Sequence, residues 1–232
     1  MNPERVVSML DLTTLTGEET DEDIAALCAK AMTPLGPVAA VCVYGRYVPR
    51  AVAELDGTQV LVAAVANFPE GDLDPERARR EAAGATEDGA AEVDVVLPWR
   101  AWLDGNKADA LAVVEAARAQ TPGILKVILE TGELGDRVRE AADDALQAGA
   151  DFVKTSTGKR SPGATPEAAR AMLEALRDHG SGGFKASGGV RTAGDAATYV
   201  DLAAEILGDE WATPQTFRIG ASSLLDALLA DQ

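Results

Sequence analysis

Three lysines and an aspartate stand in runs that otherwise read as buried β-strand: Asp94 in EVDVVLP, Lys126 in LKVILE, Lys154 in DFVKTSTGK and Lys185 in FKASGG. A lysine amine attacks a carbonyl only when unprotonated, whereas free lysine has a pKa of about 10.4. Burial and a neighbouring cation both disfavour the ammonium form and so make a nucleophile of it. Lys154, in the middle of its run, suits the nucleophile, Lys185 the neighbouring cation, and Asp94 a carboxylate that relays protons through water. The imine formed is an electron sink, which allows a C–C bond beta to the imine carbon to break or form. Taken singly, each charge has a plainer account, as a strand-end lysine reaching solvent or half of a structural ion pair. For Lys126, near the start of its run, that account weighs as much as the chemical one.

The elements that must position these groups follow from periodicity. Strand-like runs are expected at Leu10–Leu15, Val38–Tyr44, Val60–Asn67, Ala91–Pro98, Leu125–Glu130, Asp151–Thr157, Gly183–Gly188 and Phe217–Ser222. Ala-rich amphipathic stretches separate the later ones, at Glu76–Glu87, Ala108–Ala119, Asp136–Ala148, Thr165–Asp178 and Ala193–Leu207, with a closing helix at Ser222–Ala230. Thr20 with Asp23 resembles an acidic capping box, and Thr165–Pro166 gives an N-cap followed by proline at the first helical position. Eight β units alternating with helices predict an α/β fold, a (β/α)8 TIM barrel forming a single domain over residues 1–232. An open doubly wound sheet is the alternative, but it usually has fewer strands, and no GxGxxG follows the first one. In such a barrel the four charges sit on consecutive strands, the fourth to the seventh. Alternation places Lys154 on one side with Phe152 and Ser156, and Lys185 with Ser187.

Active sites of these barrels lie at the C-terminal ends of the strands, with phosphate often bound beyond the seventh and eighth. Three glycine turns fall there: STGK with Gly158 and Lys159, SGGVR with Gly188, Gly189 and Arg191, and IGASS with Gly220, Ser222 and Ser223. Glycine lets backbone amides approach an oxyanion closely, and a following helix N-terminus favours the anion. Each turn alone is weak evidence, since glycine commonly just ends a strand. Together they point to a phosphorylated carbonyl substrate.

Composition narrows the partners. A formal net charge of -17 argues against nucleic acid and anionic membranes, and much of the acid falls on helix-like segments as a solvated face. No apolar run approaches a transmembrane span, and the first residues do not read as a secretion signal. Cys28 and Cys42 form no CxxC, so metal and disulfide readings are weak and a reducing cytoplasm is expected. The sole histidine, His179, falls at a helix end, which leaves a zinc-dependent or Ser-His-Asp mechanism little support.

The motifs DLTTL, NFPEG, EVDVVLPWRA, LKVILETGEL, DFVKTSTGK, FKASGGVRTAGDA and FRIGASSLL, in this order over nearly the whole chain, resemble the deoxyribose-phosphate aldolases. These are Schiff-base (class I) aldolases of TIM-barrel fold. KTSTGK with KASGGVRT is the most specific part. The resemblance implies reversible cleavage of 2-deoxy-D-ribose 5-phosphate to acetaldehyde and D-glyceraldehyde 3-phosphate, without metal or organic cofactor, in deoxynucleoside breakdown. It implies that Lys154 forms the imine, Lys185 lowers its pKa and Asp94 exchanges protons. Asp11, Lys126, Thr155 and Thr157 would bind or support the substrate. Gly158, Lys159, Gly188, Gly189, Arg191, Gly220, Ser222 and Ser223 would hold the phosphate. The partners implied are phosphorylated sugars and aldehydes, with a homodimer left open. Another Schiff-base aldolase, or a silent sugar-phosphate-binding barrel, remains the alternative. Two departures are visible. YGRY carries Gly45 where the family pattern has proline, which either loosens the loop over the substrate or means little. The last residue, Gln232, ends no tyrosine tail of the kind some relatives use, so slower proton exchange at the acetaldehyde carbon is expected.

Overall fold

A computed structural model describes residues 2–230, so the expectation attached to Gln232 lies outside the described residues. Eight parallel strands close on themselves: β1 Leu10–Thr13, β2 Ala40–Tyr44, β3 Leu61–Ala66, β4 Glu92–Val96, β5 Ile124–Ile128, β6 Phe152–Lys154, β7 Gly183–Ser187 and β8 Phe217–Ala221. β1 pairs with both β2 and β8, which completes the TIM barrel. All eight expected runs contain a barrel strand, most trimmed by one or two residues. β6 is trimmed most, ending at Lys154 where Thr157 was expected.

The helices follow the amphipathic stretches. Pro75–Glu87, Lys107–Arg118, Val138–Gln147, Pro166–His179 and Ala193–Leu207 bury their alanine and leucine faces on the barrel. Thr20 and Asp23 form the reciprocal capping box, and Thr165 accepts from the Ala168 amide. His179 is the last residue of its helix, which ends at Gly180. Asp21–Lys30, Val48–Glu54 and several short helices, with a two-stranded hairpin at Met32–Thr33 and Gly36–Pro37, complete the chain. No helix among the described residues is long and apolar enough to cross a membrane.

Strand alternation divides the core into two. Val41, Val43, Val62, Ala64, Val93, Val95, Leu125, Val127, Val153, Phe184 and Ile219 join the large cluster with the helices. The opposite set faces the barrel axis, and there Cys42, Ala63, Val65, Val96 and Ile128 form a separate apolar cluster with Leu15 and Phe68. The same inward set carries Asp11, Glu92, Asp94, Lys126, Lys154, Lys185 and Arg218, whose side chains meet one another. A strand interior this polar is uncommon, because buried charge is costly unless paired.

The floor under the lysines depends on one absent side chain. Phe152 and Gly183 are register partners, and a Cβ on Gly183 would lie 2.4 Å from the Phe152 ring. The ring occupies that space, with the Arg218 guanidinium 5.8 Å from its centroid. Gly183→Ala is therefore expected to overpack the floor and destabilise the protein by roughly 1–3 kcal/mol. Urea unfolding measures this, and Phe152→Leu in the same chain should recover part of the loss. An unchanged midpoint would show that the ring moves aside freely.

Candidate active site

The inward charges form one network. Lys154 Nζ donates to Asp94 Oδ2 at 2.8 Å, and Lys185 Nζ donates to the same oxygen at 2.8 Å. Lys185 also reaches Asp11 Oδ2 at 2.5 Å. Lys126 donates to Asp94 Oδ1 at 2.8 Å, makes a short contact with Glu92, and lies 3.6 Å from Asp11. Arg218 closes the far side, with Nη1 on Asp11 Oδ1 at 2.7 Å and Nη2 on Glu92 Oε1 at 2.8 Å. All seven are buried.

Four cations thus face three carboxylates, which leaves an excess positive charge if every amine is protonated. The environment of each decides which gives way. Burial pushes every cation down, yet around Lys185 the carboxylates of Asp11 and Asp94 outweigh it and hold the ammonium well above its ordinary range. Lys126 is likewise raised, since Asp94, Glu92 and Asp11 overcome its burial. Lys154 goes the other way. Burial lowers it most, Asp94 offsets only part, and Lys185 lowers it further. Burial also pushes Asp94 and Asp11 up, but the surrounding cations hold both carboxyls well below the usual range. The cluster thus has three fixed cations and one amine inclined to lose its proton, which is the condition for imine formation.

A cleft of about 320 Å³ opens at the C-terminal ends of β1 and β6–β8. All eight residues expected around phosphate line it: Gly158, Lys159, Gly188, Gly189, Arg191, Gly220, Ser222 and Ser223. No carboxylate lines it, so Lys159 and Arg191 make it locally positive in an acidic chain. Among the described residues the amides of Gly188, Gly189, Ser222 and Ser223 have no acceptor. The amides of Gly158 and Lys159 are engaged instead with Ser156 Oγ and Thr157 Oγ1. The helix Ala193–Leu207 does not offer its N-terminus either, because Asp195 accepts from the Arg191 and Thr192 amides there. The cradle therefore rests on the β7 and β8 turns and on two side chains. Gly220 joins it to the charged cluster, since a Cβ there would meet Ser187 Oγ at 2.7 Å and Lys185 Cε at 3.0 Å.

The remaining expected residues fall in different places. Thr157 lines the cleft and donates to Glu130 Oε2 at 2.6 Å. Thr155 does not present a free hydroxyl, because it donates to Ser187 O at 2.8 Å and accepts from Ser187 N at 2.9 Å. Those bonds fix the end of β6 to β7 rather than reaching a ligand. Lys126 and Asp11 have no exposed surface and act on the site through the network. Gly45 begins a short 3-10 helix, Gly45–Tyr47, and Arg46 stacks over the Tyr44 and Tyr47 rings at 5.3 and 4.8 Å.

Sequence reasoning missed Arg218, Glu92 and Glu130. Arg218 stands two residues before Gly220 and Glu92 two before Asp94, so alternation alone could have placed both inward. Glu130 holds a left-handed backbone, φ 57°, uncommon for a residue with a side chain, and its buried carboxyl anchors Thr157. Thr13, Thr14 and Thr16, also unanticipated, line the cleft opposite the glycine turns.

A barrel whose charged interior readies one lysine beside an anion cleft is the architecture of a Schiff-base aldolase. The family model described as DeoC/LacD family aldolase matches residues 5–230. The chain belongs to the DeoC/LacD family of aldolases. Among solved structures it is similar to a protein from Coccidioides immitis provisionally named a deoxyribose-phosphate aldolase. The two share 35% identity over 98% of this chain and 86% of that one, with a TM-score of 0.86. A provisionally named deoxyribose-phosphate aldolase from Toxoplasma gondii ME49 shares 27% over 99% and 93%, with a TM-score of 0.90. The tetrameric deoxyribose phosphate aldolase of Aeropyrum pernix shares 28% over 99% and 92%, with a TM-score of 0.82.

The charge balance separates Lys154 from its neighbours. Lys154→Met leaves three cations against three carboxylates and should unfold at no lower urea concentration than the parent at pH 7. Lys126→Met leaves the same count but removes the cation that bridges Glu92 and Asp94, and should cost more, about 3–5 kcal/mol. The sign with pH follows from linkage. Because the folded value for Lys154 lies below the unfolded value of about 10.4, the unfolded state binds more protons between the two. The parent therefore gains stability relative to Lys154→Met as pH rises toward 10. A Lys154→Met protein as damaged as Lys126→Met would make Lys154 a structural ion-pair partner.

Proposed function

We propose that this protein reversibly cleaves 2-deoxy-D-ribose 5-phosphate to acetaldehyde and D-glyceraldehyde 3-phosphate through an imine on Lys154. The observation that carries the reading is the lowered pKa of Lys154, alone among the buried cations, beside Asp94 and within reach of a positively lined cleft. Lys154 and Thr157 are three residues apart, at most about 10 Å along the chain, which suits a short carbon chain held by phosphate at one end.

In the cleavage direction the Lys154 amine adds to C1 of the open-chain sugar, and water leaves as the imine forms. A base takes the proton from the C3 hydroxyl, the C2–C3 bond breaks, and its electrons pass into the iminium to give an enamine. Glyceraldehyde 3-phosphate departs, C2 takes a proton, and hydrolysis releases acetaldehyde. Asp94 is placed to move protons through a bound water, since its carboxylate contacts the reacting amine. Lys185, fixed as a cation, keeps Lys154 from holding its proton. The apolar cluster of Cys42, Val65, Phe68, Val96 and Ile128 provides a surface for the two-carbon unit. Lys159, Arg191 and the amides of the β7 and β8 turns take the phosphate. This chemistry is complete with protein groups and water, and so needs no cofactor.

Borohydride in the presence of acetaldehyde should leave an N-ethyl group on Lys154, mapped by peptide mass spectrometry and lost in Lys154→Ala. Trapping with dihydroxyacetone and not with acetaldehyde would move the assignment to another Schiff-base aldolase. Binding of the sugar phosphate without adduct or turnover would make the barrel a silent binder. Lys159→Ala and Arg191→Ala should each raise KM for the sugar phosphate by roughly tenfold or more while changing kcat less. An unchanged KM would remove the phosphate role from that side chain.

A further inference from the structure

The chain has 22 glycines, and nearly all have a visible reason to be glycine. Most hold a positive φ, and others lie where a Cβ would strike a neighbour. Only Gly45 and Gly84 have neither a positive φ nor any atom within 4 Å of an added Cβ. Both line the same cavity of about 430 Å³ between the ends of β2 and β3 and the helix Pro75–Glu87. Gly84 lies inside the helix Pro75–Glu87, where glycine is the least favourable residue after proline. Its presence there is accounted for neither by backbone conformation nor by packing. Both glycines do keep the cavity open.

The walls say what would fit. Tyr44 and Phe68, edge-to-face at 5.9 Å, form an apolar side with Val65 and Ala85. Arg46, Arg77 and Arg80 supply the positive charge. Arg77 is spent on Asp72 and Glu81, at 2.7 and 2.8 Å. Arg46 bonds the Gly17 carbonyl at 3.0 Å and lies 4.0 Å from Glu19. Arg80 has no carboxylate within 4.0 Å among the described residues. Asp88, the other acid of the lining, lies eight residues further along the helix, about 12 Å from Arg80 at helical rise. The volume falls within the usual range for small-molecule sites. None of the residues that line the phosphate cleft lines this cavity.

We infer that this cavity binds a small organic anion with a planar apolar body, its ring against Tyr44 and Phe68 and its anionic group at Arg80 and Arg46. Flat rings stack favourably on aromatic and guanidinium faces, and a guanidinium pairs well with a phosphate, sulfonate or carboxylate. No group of the charged cluster takes part in it, and it shares only Val65 and Phe68 with the apolar surface assigned above to the two-carbon unit.

Two probes test it on the intact chain: 8-anilinonaphthalene-1-sulfonate by fluorescence and phenyl phosphate by calorimetry. Each should show one saturable site per chain, unaffected by Lys159→Ala. Gly84→Leu fills the cavity while improving the helix, and Arg80→Glu reverses the anchoring charge. Each should weaken binding about tenfold or more without lowering the unfolding midpoint. Binding that survives both substitutions, or fails to saturate at millimolar probe, overturns the inference. Loss in Lys159→Ala would place the probe in the phosphate cleft and overturn it equally. A change of oligomeric state in Gly84→Leu with no probe binding to the parent would make the cavity a contact between copies of the chain.

Discussion

The structure turns on an imbalance of buried charge. Inside the barrel three carboxylates must serve four cations, and their contacts are shared unequally. Arg218 spans Asp11 and Glu92, and its guanidinium stays protonated in any protein environment. Lys126 touches Glu92 and Asp94 and lies near Asp11, while Lys185 touches Asp11 and Asp94. Lys154 has one carboxylate oxygen, and it shares that oxygen with Lys185. The least-served amine carries the excess charge, and losing its proton makes the cluster neutral. Its lowered pKa follows from this arrangement rather than from any property of lysine alone.

The barrel is what makes such a cluster affordable. Closed register brings residues of six strands to one axis, so charges far apart in the chain, such as Asp11 and Lys185, come within hydrogen-bonding distance. The same closure makes the mouth asymmetric. The inward residues of β2–β5 above the charges are apolar, whereas β6–β8 end in hydroxyls and glycine turns. A ligand with a carbonyl at one end and an anion at the other meets different chemistry on the two sides. The β6 turn also crosses between them, with Arg160 3.4 Å from Glu70 and its guanidinium 5.5 Å from the Trp99 ring.

Much of this was legible in the sequence, and the gaps have physical causes. Strands buried on both faces read as continuous apolar runs, which reveals their existence but not which face is inside. The lysines and Asp94 stood out because charge inside such a run is rare. Arg218 and Glu92 stand in similar runs, but each sits next to a strand end, where a charge normally reaches solvent. Thr155 illustrates a different limit. The resemblance implied a substrate contact there, yet β6 ends one residue earlier, and a hydroxyl at a strand end readily turns back to the adjacent backbone. Glu130 required a left-handed backbone that no local signal announces for glutamate.

The acidity of the chain and its anion cleft are compatible because electrostatics is local. Exposed charges in salt solution are screened beyond about 8–10 Å, so carboxylates on the outer helix faces act weakly at the barrel mouth. What an anion entering the cleft would meet is the lining itself: two cations, unbonded amides and hydroxyls, with no carboxylate among them. The nearest acids are already committed. Asp195 caps its helix, and Glu130 holds Thr157 while burial pushes its carboxyl pKa up. The net charge of -17 therefore describes how the molecule meets nucleic acid or a membrane, whereas the distribution of charge over a few strand ends describes how it meets a small anion.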